Sequence, residues 1–296
     1  MKPISRSGLG YLMSAPLLLW LLLTIAVPLV FQIWISLTSA RTIGGIPKFI
    51  ALTNYSKIFS NPAFLPAFGR SLVWAFGGAV LQTVPAALVA AILNMKFRWQ
   101  QLARTWIMIS WVVPTIVVVF VWRLILNVDH GVADYILLQS RIISKPADFL
   151  GSPNLALLTT MLINAWRWFP FLTIIIIAGL RRIPEDCYDA AKVDGATAWK
   201  RLTAITLPLL QPVFYVSGLM GTLWSINVFD IIWLSTRGGP LAKTETIPVL
   251  IYERAFEGFN MGQASAIAVV LAIFLGLFSA VYILFVPAGD AEQEVF

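Results

Sequence analysis

A handful of polar and indole side chains interrupt long apolar runs in this 296-residue chain. Asn164, Arg167 and Trp168 precede Pro170 in one run, and Trp224, Asn227 and Asp230 fall in a later one. A charged residue near a bilayer centre costs about 2.5 to 3.5 kcal/mol on insertion scales, so such residues face a water-filled cavity or a polar partner. Asn164 and Arg167 are three apart, as are Asn227 and Asp230, so each pair is expected on one face of its helix. These faces are read as lining a pathway for a polar solute. Pro170 weakens its helix and is positioned to free a carbonyl toward that pathway. Other chemistries lack their groups. No glycine-rich loop ends in Lys-Ser or Lys-Thr, so ATP hydrolysis by this chain is not expected. One histidine, His130, and one cysteine, Cys187, build neither a metal cluster nor a His-based triad, and Asp230 has no acidic partner in its run for paired-carboxylate hydrolysis. No resident metal or cofactor is expected.

Tryptophan supplies a second hint and its own counter-reading. Aromatic faces stack on pyranose rings and leave the hydroxyls to Asn, Asp and Arg, yet tryptophan is also enriched at membrane interfaces. Trp166, Trp168 and Trp224 lie beside the polar pairs and are candidates for the first role. Trp20, Trp34, Trp74, Trp99, Trp106 and Trp233 fit belt or packing positions. Arg167 has a structural alternative, binding a lipid headgroup or a carbonyl.

The elements that hold these residues are membrane helices. With 59% hydrophobic and 12% charged residues, the chain exceeds what a soluble surface carries. The net charge of +7 sits beside apolar runs, which points to topology and headgroup contact rather than to nucleic acid. Apolar stretches of about 20 residues predict six spans, near 11–37, 71–95, 105–127, 155–180, 209–235 and 263–286. Lys2 and Arg6 before the first run resemble a secretory signal, but the run is too long for one and is read as an uncleaved span. Basic residues flush against span ends are densest in the N-terminal segment, at Lys96, Arg98 and Arg104, and from Arg181 to Arg201. That density predicts both termini, the acidic tail with Asp290, Glu292 and Glu294, and the 183–208 loop on the cytoplasmic side. The stretch 128–153 alternates apolar and polar residues and is expected to lie along the opposite membrane surface.

Residues 183–208 are the longest polar interval in the second half. Pro184 with Glu185 and Asp186 suits a helix start, Gly195 a left-handed C-cap, and Thr197 the cap of a second short helix ending near Thr206 before Pro208. Cys187 is expected as a small, partly buried thiol. Asp189, Ala190, Ala191, Asp194, Gly195, Ala196 and Pro208 resemble the EAA loop of permease subunits from ATP-binding-cassette importers. Asp189 stands where that family usually has Glu, and Leu202 where it often has Phe. Phe229-Asp230, Thr236 to Pro240, Thr244, Tyr252, Ala255-Phe256 and Gly262 resemble a second signature, of the carbohydrate permeases. Leu52, Asn54 and Tyr55 match a weaker one.

The resemblance implies an all-α permease with the MetI-like fold of binding-protein-dependent transporters, importing a sugar or sugar-like solute. It implies a coupling role for 189–191 and 194–196, and substrate contacts at Asn164, Arg167, Asn227 and Asp230. The implied partners are a second, homologous permease, two ATP-binding cassette subunits that carry ATP and Mg²⁺, and a soluble substrate-binding protein, in a bacterial or archaeal cytoplasmic membrane. An ion-coupled secondary transporter is the alternative, and it would need intramembrane acids or histidines beyond Asp230.

Overall fold

The computed structural model describes residues 6–42, 47–95 and 97–285. Lys2, Lys96 and the acidic tail, on which part of the orientation argument rests, lie outside these. The chain divides into two compact units, one running to Leu65 and resuming over Leu250–Phe274, the other comprising Pro66–Val249 and the chain from Leu275 on.

In the first unit, α1 (Arg6–Leu21) passes through a π-helical turn at Leu22–Ala26 into α2 (Val27–Ser36). Pro28 has no N–H to offer the carbonyl of Thr24, and the wider π turn containing Thr24 lets the helix continue. Side chains from Met13 to Phe31 are exposed and almost wholly apolar, a surface suited to lipid. Below α2 the chain is knitted tightly. Asn54, in α3 (Thr53–Phe59), donates through Nδ2 to the carbonyls of Ser36 and Thr38, both at 2.8 Å. Tyr55 shares a 2.7 Å hydroxyl bond with Ser36. Gly262 N–H donates to the Ala40 carbonyl at 2.9 Å, and a Cβ there would lie 2.4 Å from the Thr38 oxygen. Asn54 and Gly262 thus have structural work at the end of the first span.

The second unit begins with α4 (Phe64–Asn94), which starts about two turns before the position that apolarity suggests. Arg70 therefore lies inside a helix rather than in a loop. Its guanidinium donates to the Glu245 carbonyl at 2.6 Å and to the Glu245 carboxylate at 3.2 Å, with side chains 18% and 7% exposed. Removing one partner strands the other charge away from water, so Arg70→Ala should cost about 2 to 4 kcal/mol, whereas pairing Arg70→Met with Glu245→Leu should recover most of it. Thermal unfolding in detergent reads both; an unchanged midpoint for Arg70→Ala would contradict the assignment.

Next come α5 (Gln100–Val112) and α6 (Thr115–Ile125), which meet at a 94° bend. Pro114 forces Val113 out of the helical region, to φ −63° and ψ 133°. The expected continuous span at 105–127 is thus broken. Only α7 (Val132–Gln139) is helical in the surface segment, shorter than its alternating pattern suggests. At the middle of the unit is α8 (Ala156–Leu180). Met161 and Ile163 pack with Trp74 of α4 and Val118 and Val119 of α6. Further along α8, Ile176 and Ile177 pack with Ala86 and Ala90 of α4.

After α9 (Glu185–Val193) and α10 (Ala198–Arg201), a π turn at Leu202–Thr206 leads into α11 (Leu207–Ile226). The sequence places Pro208 just after a helix end. It instead sits in a continuous helix, Ala198–Ile226, because the π turn contains Ala204, whose carbonyl Pro208 cannot serve. That helix ends early, at Asn227, and α12 (Asp230–Thr236) starts after a break, so 209–235 is two helices. Arg237 and Gly238 turn the chain at φ 50° and 80°. The turn is locked by Thr244, whose hydroxyl bonds Thr236 Oγ1 at 2.6 Å and donates to the Gly239 carbonyl at 2.8 Å. The chain closes with α13 (Ile247–Tyr252) and α14 (Met261–Phe285). Among the described residues, five helices are long and apolar enough to cross a membrane, and α5 with α6 makes a sixth crossing if the bent pair counts as one.

Candidate functional site: a groove along α8 and an exposed hairpin

One face of α8 and one face of α11 bound a groove of about 480 Å³. Asn164 and Arg182, eighteen residues apart on and just beyond α8, both line it, so it extends ~27 Å along that helix. A bilayer hydrocarbon core is about 30 Å thick. The walls are mainly apolar; besides Asn164 the polar lining residues are Gln82 from α4, Ser217 and Ser225 from α11, and Arg182 at the far end. Asn164 is 3% exposed, and its Oδ1, like Ser225 Oγ, is buried with no hydrogen-bond partner. A buried amide oxygen left unpaired costs about 1 to 3 kcal/mol. Such a cost is tolerated where a ligand or water completes the bond. Across the groove Trp168 faces Trp224, ring centroids 6.1 Å apart at 36°. The indoles form two walls at the Asn164 end.

Of the residues singled out in the sequence, Asn164, Trp168 and Trp224 come together here. Arg167 and Asp230 meet beside the groove rather than in it. Their closest charged atoms are 4.0 Å apart, and the Arg167 guanidinium lies 5.7 Å from the Trp168 ring centroid. Asp230 also sits in the first turn of α12, where the helix dipole favours a carboxylate. Asn227 does not share a helical face with Asp230, because the helix ends between them. Its Nδ2 donates to the Leu223 carbonyl at 2.8 Å, a bond that satisfies the end of α11. Trp166 points away and packs edge-on against Trp122 at 5.7 Å. Gln82 and Ser217 are lining residues that the sequence reading does not single out. Gln82 was legible as an uncharged polar group in the middle of an apolar run.

At the Arg182 end the chain leaves α8 and forms a hairpin. Pro184 precedes α9, with Glu185 and Asp186 in its first turn. Gly195 adopts φ +72°; its N–H donates to Lys192 O at 3.0 Å, and Ala196 N–H donates to Ala191 O at 2.9 Å. This paired closure is the Schellman ending, and the left-handed residue costs glycine little. Thr197 Oγ1 accepts from Lys200 N–H at 3.2 Å and starts α10, while Arg201 donates to the Ala196 carbonyl at 2.9 Å. Tyr188 and Thr206 join the two arms by a 2.9 Å hydroxyl bond. Asp189 pairs with Lys192 at 2.7 Å on the surface. Ala190 and Asp194 are exposed, and Ala191 and Ala196 half-buried. Cys187 is exposed rather than partly buried, because α9 packs through the neighbouring Tyr188. Val193 is 89% and Trp199 73% exposed at the tip. Two large apolar side chains thus stand exposed on an otherwise polar hairpin.

An all-helical chain with several membrane-length helices, a groove along two of them and a projecting polar hairpin defines a membrane permease subunit. The chain belongs to the family described as "Binding-protein-dependent transport system inner membrane component", which matches residues 82–288. It is 35% identical over 283 residues to the trehalose/maltose transport system permease protein MalF of Thermococcus litoralis, covering 94% of this chain and 93% of that one. It is 31% identical over 288 residues to the sulfoquinovosyl glycerol transport system permease protein SmoG of Agrobacterium fabrum, covering 95% and 91%. Among solved structures, a bacterial ABC transporter that imports the acidic polysaccharide alginate superposes with a TM-score of 0.80 at 21% identity, over 94% of this chain and 95% of that one. The same transporter type, in complex with an alginate pentasaccharide-bound periplasmic protein, superposes at 0.79 with 23% identity, over 93% and 94%. The last two establish the fold.

Proposed function

We propose that this chain is one permease subunit of an ATP-driven importer, carrying a sugar or sugar-like solute delivered by a soluble binding protein. The observation that carries this reading is the co-occurrence, in one unit, of a partly polar groove and a hairpin exposing Val193 and Trp199 at its far end. Energy has to enter from a partner, since the sequence has no phosphate-binding loop. Two ATP-binding cassette subunits would seat the hairpins of this chain and of a second, homologous permease in clefts on their surfaces. Their closure on ATP, with Mg²⁺ held by them, would draw the hairpins together and rotate the spans. Because α10, the π turn and α11 form one helix, displacement of Ala198 is carried directly to the groove wall at Ser217 and Trp224.

In this scheme Asn164 and Ser225 hydrogen-bond hydroxyls of the passing solute, Trp168 and Trp224 stack on its apolar ring face, and Arg167 with Asp230 set the charge at the mouth. The groove's open side would be closed by the second permease. The hairpin and both termini would face the cytoplasm. The sugar named in the first relative supports a saccharide, and the sulfonated solute named in the second leaves room for a role of Arg167 toward an anionic group.

Reconstitution of the whole complex in vesicles tests this. The ATPase rate should rise severalfold with one ligand-loaded binding protein and not with the same protein empty. Solute uptake by this chain alone, driven by an ion gradient without ATP, would contradict it.

A further inference from the structure

The second cleft of this unit has a different character. It lies between the N-terminal turns of α5 and the C-terminal end of α8, with a volume of about 560 Å³. Gln101, Arg104 and Thr105 line one side, and Arg181, the residue capping α8, lines the other. Arg181 and Arg182 are split by the helix turn, so that Arg182 faces the groove while Arg181 faces this cleft. Two guanidinium groups thus converge, and among the described residues no carboxylate lies within 4 Å of either. One Arg104 nitrogen, Nη2, donates to the Leu93 carbonyl at 2.7 Å, whereas its Nε is buried with no partner. Arginine in an apolar setting calls for an oxygen anion of matching geometry.

The rest of the cleft is greasy. Met108 lies one turn from Arg104, and Ile174 and Ile177 lie one to two turns from Arg181, so the apolar wall extends ~10 Å away from the cations. Cations at one end and hydrocarbon wall at the other match an amphiphile better than a soluble anion. Depth agrees: Trp99, in the turn before α5, is 62% exposed, with the Arg98 guanidinium 5.4 Å from its ring centroid, an interfacial arrangement. We propose that this cleft binds one anionic phospholipid, its phosphodiester held by Arg104 and Arg181 with Gln101 and Thr105 as further donors, and the roots of its acyl chains against Met108, Ile174 and Ile177. Basic pockets between membrane helices hold acidic headgroups in this way. The site is separate from the groove and requires neither transport nor a particular orientation of the chain.

Native mass spectrometry of the full chain, titrated with dioleoyl phosphatidylglycerol or dioleoyl phosphatidylcholine, tests it. The wild-type chain should retain phosphatidylglycerol preferentially. Arg181→Gln, which removes an exposed side chain that makes no internal bond, should weaken that retention about fivefold, and Arg104→Gln with Arg181→Gln about thirtyfold, with phosphatidylcholine unaffected. Equal retention of the two lipids, or unchanged retention in both variants, overturns the proposal. Displacement of phosphatidylglycerol by millimolar inorganic phosphate also overturns it, by assigning the cleft to a soluble anion.

Discussion

Gly195→Trp should leave the chain in the membrane at its normal level and reduce uptake by the assembled importer about thirtyfold or more. Gly195 sits at φ +72°, and nothing lies within 4 Å of the position a Cβ would take. Gly195 is exposed and a Cβ there meets no neighbour, so the cost visible in the isolated chain is the left-handed backbone, about 1 to 2 kcal/mol for any L side chain. Gly195→Ala carries that same backbone cost without the bulk. If the hairpin docks in a cleft, Ala should retain most of the uptake while Trp abolishes it, because a blocked anchor position near the centre of an interface is worth 2 kcal/mol or more. Equal losses in the two variants would assign the effect to the Schellman ending rather than to docking. Equal wild-type rates of uptake and ATP hydrolysis in the Trp variant would refute the coupling role.

Asn164→Leu should separate function from stability in opposite directions. Asn164 Oδ1 is buried with no hydrogen-bond partner from the chain, so leucine removes an unsatisfied polar group and should raise stability by about 1 kcal/mol or leave it unchanged. The same change deletes a hydrogen bond to a solute hydroxyl and leaves that hydroxyl desolvated, so uptake should fall about tenfold or more. Melting curves in detergent and initial uptake rates in vesicles read the two effects. A less stable variant with normal uptake would make Asn164 a structural residue and remove it from the path. Trp168→Ala provides a graded companion, since Trp168 contacts both Trp224 and the Arg167 guanidinium.

Which features were legible follows from how local their physics is. The hairpin could be read because its determinants are neighbours in sequence: Gly195 supplies the left-handed turn, Thr197 the next cap, and Glu185 and Asp186 the charged start. The groove residues Asn164, Trp168 and Trp224 stood out as polar or indole groups among aliphatics. The helix breaks were harder, because proline has more than one outcome. Pro114 breaks its helix by 94°, while Pro28 and Pro208 are absorbed by π turns. Asn227 misled for a related reason. Its spacing from Asp230 implies a shared face only if the helix continues, yet its own amide helps end that helix. Arg70 could not be placed from sequence at all, since its partner Glu245 comes from a distant segment.

The most direct measurement uses the chain's single cysteine, which lies exposed in the first turn of α9, within the hairpin. With a benzophenone maleimide attached to Cys187, the assembled importer is irradiated in vesicles and the adducts are identified by mass. Docking of the hairpin on an ATP-binding cassette subunit predicts one dominant adduct, to that subunit, with a yield that changes when ATP is bound. Adducts to lipid or to the binding protein alone, or labelling of Cys187 in intact cells by a membrane-impermeant maleimide, would contradict it.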